Sequence, residues 1–212
     1  MNRNYQLGAS DPMNAQSYKT QRPDEPEDLW QPLYDRVNIA VTVPGQLSFF
    51  STPKGQSVTL ISNTTASTIV KSYRDTNIEN AGVVPTKLYK FVGISIAFVH
   101  ATRNAATNPT DRTLIQDGGY MQFRIVDKDI LYLPLIAIPV LNPIQAMTTN
   151  AGIAADGGGG VGVAMYKFPV PITLNPYENF SLTANFTTTN TLAITTTLDM
   201  YVILHSFMRR PT

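Results

Sequence analysis

From Val37 to the C-terminus, apolar and polar residues alternate with a period of two in one stretch after another. Strands with one buried face demand this pattern, because successive side chains point to opposite faces of a sheet. Val37, Ile39, Val41 and Val43 form one face against Asn38, Ala40 and Thr42, before a turn at Pro44-Gly45. Val58 and Leu60 resume the pattern after Pro53-Lys54-Gly55. Val92, Ile94, Ile96 and Phe98 line a longer strand, opposed by Gly93, Ser95 and Ala97, whose small size suits close packing on another sheet. Met121, Phe123 and Ile125 alternate with Gln122 and Arg124, and a solvated turn at Asp127-Lys128-Asp129 leads into Ile130 to Ile138. That apolar run reads as a buried strand ended by Pro139. Phe180, Leu182, Ala184 and Phe186 face inward. Beyond a polar loop from Thr187 to Thr191, Leu192, Ile194, Leu198, Met200, Val202 and Leu204 do the same. These two long strands read as a hairpin, with Thr195, Thr197 and Asp199 on a wet or interface side. No twelve-residue window has a helical period; the one place for a helical turn is Asn142 to Thr149.

About eight strands joined by loops of uneven length predict an all-β fold: a two-sheet antiparallel sandwich, jelly-roll-like, with an extended N-terminal arm. The sandwich is expected over residues 36–212 and the arm over 1–35. The arm is polar, carries Pro12, Pro23, Pro26 and Pro32 and the acidic cluster Asp24, Glu25, Glu27 and Asp28, and lacks the apolar surface to offset its own ordering. Its end is different. Leu29, Trp30, Leu33 and Tyr34 are expected to dock, either as a flap on their own domain or as an arm on a neighbour. Arg209 and Arg210, after the last strand, are the matching basic patch and the remaining interface candidates. Two long loops, 102–116 and 148–163, are expected to be functional or ordered by a partner.

Only 15% of the 212 residues are charged, against roughly 25% in an ordinary soluble domain, and Thr, Asn, Ser, Gly and Pro take much of their place. Such a composition suits a surface later buried by neighbours. A net charge of +1 gives no electrostatic case for nucleic acid. The absence of cysteine excludes disulfides, thiolate metal sites and a cysteine nucleophile. With neither a signal-like apolar run near the start nor about 18 consecutive apolar residues anywhere, synthesis in a cytoplasm and no membrane insertion are expected.

No catalytic, metal or cofactor site is expected, and the protein is read as a non-enzyme. His100 and His205 are the only histidines, too few for a zinc site and placed for packing or an interface. Gly157, Gly159 and Gly162 fit a dinucleotide-binding spacing, but Val163 to Pro171 follow with two prolines instead of a helix, so a plain loop is the better reading. Asn63, Asn179 and Asn185 open glycosylation triplets that lack a secretory context.

The stretch Phe168 to Leu182 contains Ile172-Thr173-Leu174-Asn175-Pro176-Tyr177-Glu178-Asn179-Phe180. It resembles the "I-x-L-x-P-x-E-x-F" run before a late strand in jelly-roll capsid and cement proteins of bacteriophages, with Pro176 opening the strand. Thr76-Asn77-Ile78 to Val84-Pro85, leading into Leu88, is similar to a loop of the same proteins. The resemblance covers about a third of the chain. It implies a virion protein made in the host cytoplasm, a decoration, cement or single-jelly-roll shell subunit. Its implied partners are itself, as a homo-oligomer such as a symmetric trimer, and other capsid proteins. The alternative is a carbohydrate- or receptor-binding module such as a fibre knob, with Tyr73, Tyr89, Tyr120, Tyr132 and Tyr166 as candidate stacking rings.

Overall fold

A computed structural model describes residues 28–40, 43, 45–62, 65–84, 86–100, 109–141, 165–186, 195 and 198–209. In chain order its elements are β1 (Asp28–Trp30), β2 (Leu33–Ile39), β3 (Gln46–Phe49), β4 (Ser57–Ser62), β5 (Thr65–Val70), β6 (Leu88–His100), α1 (Pro109–Gly118), β7 (Gly119–Ile125), β8 (Lys128–Pro134), a 3-10 turn at Leu135–Ala137, β9 (Tyr166–Leu174), β10 (Phe180–Phe186) and β11 (Leu198–Arg209).

The expected antiparallel sandwich is what these strands form. One sheet has the order β2-β11-β6-β9, with β1 beside the C-terminal end of β11; the other has the order β3-β10-β7-β8, and β4-β5 is a separate hairpin. The pairings are nested: β2 with β11, β3 with β10, β6 with β9, β7 with β8. One face of each sheet supplies the core. Phe91 of β6 meets Phe123 of β7 edge-on at 5.7 Å, and Phe123 lies 6.2 Å from Phe180 of β10, so aromatic rings close the space between the sheets. Leu198, Met200, Val202 and Leu204 are fully buried from the first sheet, as are Leu182 and Ala184 from the second. Each large apolar side chain so buried contributes about 1.5–3 kcal/mol.

Nesting gathers the connections at two ends. At the first, the two-residue turn Val126–Asp127 and the Asn175–Asn179 turn lie together, Val126 N–H donating to Asn179 O at 2.7 Å. Tyr177 N–H donates to Val84 O at 3.2 Å and Phe180 N–H to Gly82 O at 2.7 Å, so the two segments that carry the phage resemblance touch each other. Gly82 is required here: its φ is +58°, and a Cβ would stand 2.7 Å from Phe180 O. At the opposite end lie the strand ends from which residues 101–108, 142–164 and 187–194 leave and return. There Phe186 N–H donates to Gly45 O at 2.9 Å and Asp111 of α1 holds Thr195.

Several expectations are corrected. β10 and β11 form no hairpin; they belong to different sheets, β10 pairing with β3 and β7 and β11 with β2 and β6, strands far away in sequence. The apolar run after Lys128 is no buried strand. β8 is a sheet edge on which Leu133 is the buried side chain, and the chain turns 3-10 at Leu135. Part of the 102–116 loop is helical, since α1 occupies Pro109–Gly118. Pro176 sits in the turn and the strand starts at Phe180. The first long strand begins at Leu33, not Val37, and β1 begins at Asp28, so the sheet takes up residues assigned to the arm. Val41, the loop 148–163 with its glycines, and Leu192 and Ile194 lie outside the described residues.

Candidate assembly surface

The outer face of the first sheet divides into a covered and an open part, and a cluster of buried charges determines which is which. Arg36 on β2 and Asp199 on β11 project outward from neighbouring strands, Arg36 standing opposite Tyr201 and Asp199 opposite Asn38. The Arg36 guanidinium donates to Asp199 Oδ2 at 2.5 Å and to Asp75 Oδ1 at 2.7 Å, while Asn38 donates to Asp199 Oδ1 at 2.9 Å. Asp75 also accepts the Ser72 N–H and hydroxyl, each at 2.9 Å. Burial pushes the Asp75 carboxyl up, but the Ser72 and Arg36 hydrogen bonds outweigh it and hold the group below the usual carboxylate range. The result is a staple fixing the 71–77 segment over the sheet. The expectation of a wet or interface side at Asp199 is therefore corrected: that carboxylate is buried and ion-paired within its own chain.

A second pair secures the same segment from the core side. Lys71 Nζ donates to Asp35 Oδ1 at 2.6 Å, and the other carboxylate oxygen accepts Phe50 N–H at 2.6 Å. Phe50 has a φ of +60°, a left-handed conformation that costs about 1–2 kcal/mol in an L-residue. Asp35 on its N–H and Gly82 on its carbonyl hold it there, and its ring is fully buried.

Beyond the staple the face is open. Trp30 is 50% exposed and lies 5.7 Å from the ring of His205 and 5.2 Å, edge-on, from Phe207, itself 38% exposed. His205 is buried under this pair. Its Nε2 is 2.8 Å from Ser95 Oγ, its Nδ1 has no hydrogen-bond partner among the described residues, and burial lowers its pKa. Beside Phe207 a shallow groove of about 240 Å³ is lined by Leu88, Lys90, Thr173, Phe207 and Arg209. Aromatic and aliphatic surface with cations at its border is the composition that favours a protein partner.

The six interface candidates fare differently. Trp30 and Arg209 border the open patch on either side of Phe207. Leu29 is half-buried against the core, and Leu33 is inside it. Tyr34 is fastened to the 73–77 segment: its hydroxyl donates to Tyr73 O and its N–H to Asn77 Oδ1 at 2.9 Å. Arg210 lies outside the described residues, as does the side chain of His100. Phe207, Lys90 and the staple escaped the sequence reading. Their one signal was an Asp-Arg pair at 35–36 and an Asp at 199, charges set inside otherwise apolar strands.

Among the described residues no group of three histidine or acidic side chains is placed to hold a metal ion, and no helix is long and apolar enough to cross a membrane. The chain matches no known protein family, and no curated protein matches its sequence.

Proposed function

We propose that this chain is a structural subunit of a virus particle, assembling with copies of itself and with other capsid proteins as a decoration, cement or shell protein. The observation that carries the reading is the nested order β2-β11-β6-β9 opposite β3-β10-β7-β8. We read that order as the eight-stranded double Greek key of a jelly roll, an architecture used by viral capsid domains. Sparse surface charge and the open Trp30–Phe207 patch support self-association. Residues ahead of β1 start from the border of this patch, opposite Arg209, and serve as the arm that reaches a neighbour. The sandwich is a rigid spacer in this scheme, and no chemistry is asked of it.

A Phe207→Asp substitution tests the surface. Phe207 is partly exposed on a strand whose opposite face makes the core, so the variant should fold. Placing a charge at the centre of an interface costs about 2 kcal/mol or more. Assembly measured by sedimentation should weaken at least tenfold; assembly at unchanged concentration would rule this patch out.

A further inference from the structure

The outer face of the second sheet carries a constellation separate from the Trp30–Phe207 patch. Tyr132 and Asp129 on β8 project to the same side as Gln122 and Arg124 on β7, their cross-strand partners. Residues three apart on a regular strand point to opposite faces. A bulge between Phe123 and Arg124, which leaves Ile130 as the extra residue, reverses that parity and brings the Asp129 carboxylate beside the Tyr132 ring. Tyr132 donates its hydroxyl to Asp129 Oδ2 at 2.7 Å, and Gln122 Nε2 donates to Asp129 Oδ1 at 2.8 Å and to the Tyr132 hydroxyl at 3.1 Å. Arg124 Nε reaches Asp129 Oδ1 at 2.9 Å. The Tyr120 ring lies 6.0 Å from that of Tyr132 at 49°, and Asn185 Nδ2 donates to Gln122 Oε1 at 3.4 Å.

We infer that these side chains form a binding site for a neutral glycan. An exposed tyrosine ring offers an apolar face to the C–H side of a sugar ring; Tyr132 is 55% exposed. Around it stand a carboxylate, a guanidinium and two primary amides, planar groups that pair with adjacent hydroxyls in bidentate fashion. Arg124 balances Asp129, so the site has no net charge to recruit a charged ligand. The hydrogen bonds from Tyr132 and Gln122 hold Asp129 below the usual carboxylate range, which keeps it an acceptor. Because the groups already fix one another, little side-chain freedom is lost on binding. β8 is the sheet edge, and among the described residues no strand pairs with its far side, which leaves room for a chain of several sugars. A merely solvated face requires neither the bulge nor the ordered network, since exposed pairs of this kind add little stability.

The inference is independent of the particle reading and is tested separately, on a panel of immobilised neutral gluco-, galacto-, manno-, xylo- and N-acetylglucosamine oligosaccharides. The full chain should bind at least one of them. Tyr132→Ala and the nearly isosteric Asp129→Asn should each weaken that binding tenfold or more. Tyr177→Ala, which removes an exposed tyrosine from the turn at one end of the sandwich, should leave it unchanged. Binding to none of the panel, or binding that survives both Tyr132→Ala and Asp129→Asn, would overturn the assignment.

Discussion

At the residue scale, Arg36 is a weak point because it is a buried cation, only 6% exposed. Its charge is tolerable only while Asp75 and Asp199 both face it. Asp199→Ala leaves a buried guanidinium half-compensated, and breaking one partner of such a pair costs about 3–5 kcal/mol. Urea unfolding should register a loss of that size, and Asp75→Asn, which retains a hydrogen-bonding oxygen, should lose less. His205 gives a pH prediction. Its folded-state pKa is lowered by burial, so between that value and the ordinary 6.5 the unfolded chain binds the extra proton. Stability then rises with pH across this interval and is lost as pH falls below about 6.5. A His205→Gln variant, which can still bond Ser95, should show a flatter dependence of unfolding free energy between pH 7 and 5. Equal slopes in the two proteins would mean that His205 is not buried as a neutral ring.

At the element scale, α1 shows how a short helix can be fastened by one side chain. The Asp111 carboxylate accepts Thr195 N–H at 2.9 and 3.0 Å and the Thr195 hydroxyl at 2.8 Å, joining the β6–β7 connection to the entry of β11. Asp111→Ala removes these acceptors from a buried site and should cost about 1–3 kcal/mol. Hydrogen exchange should locate the loss, with the Thr195 amide exchanging faster while amides in the middle of β6 keep their protection. The helix was hard to see in the sequence because its ten residues bury one large apolar side chain, Ile115, and so show no period. Pro109 at the first helical position with Asp111 in the first turn was the available signal. Strands with one wet face, such as β7 and β10, were legible from alternation alone. β8 was not, since an apolar run reads the same on a sheet edge as in a core, and only pairing order separates the two. The β10–β11 relation failed for the same reason: adjacency in sequence suggests a hairpin, while the nest pairs strands far apart. Tyr120 and Tyr132 stood out in the sequence as candidate stacking rings, but their grouping with Gln122, Arg124 and Asp129 did not, because a bulge changes parity without marking the residues on either side of it.

At the scale of the whole molecule, the nested sandwich places the tight turns Val126–Asp127 and Asn175–Asn179 at the same end as the segment carrying β4 and β5, an aromatic patch on one outer face and a polar platform on the other. Trp30 and Arg209, singled out in the sequence because aromatic and basic residues at the borders of a β domain stand out, lie exposed beside Phe207. Leu33 and Tyr34 dock on their own domain, the first of the two alternatives, as part of a strand that starts before its alternation becomes obvious. Assembly of this body is the central claim, and solution mass tests it most directly. Light scattering of the purified full chain, at low and high salt, with electron microscopy of the same fractions, should give a closed oligomer or shell-like particles. The oligomer should persist at high salt, because an aromatic contact is screened far less than an ion pair. A monomer at high concentration in both salts would contradict the account.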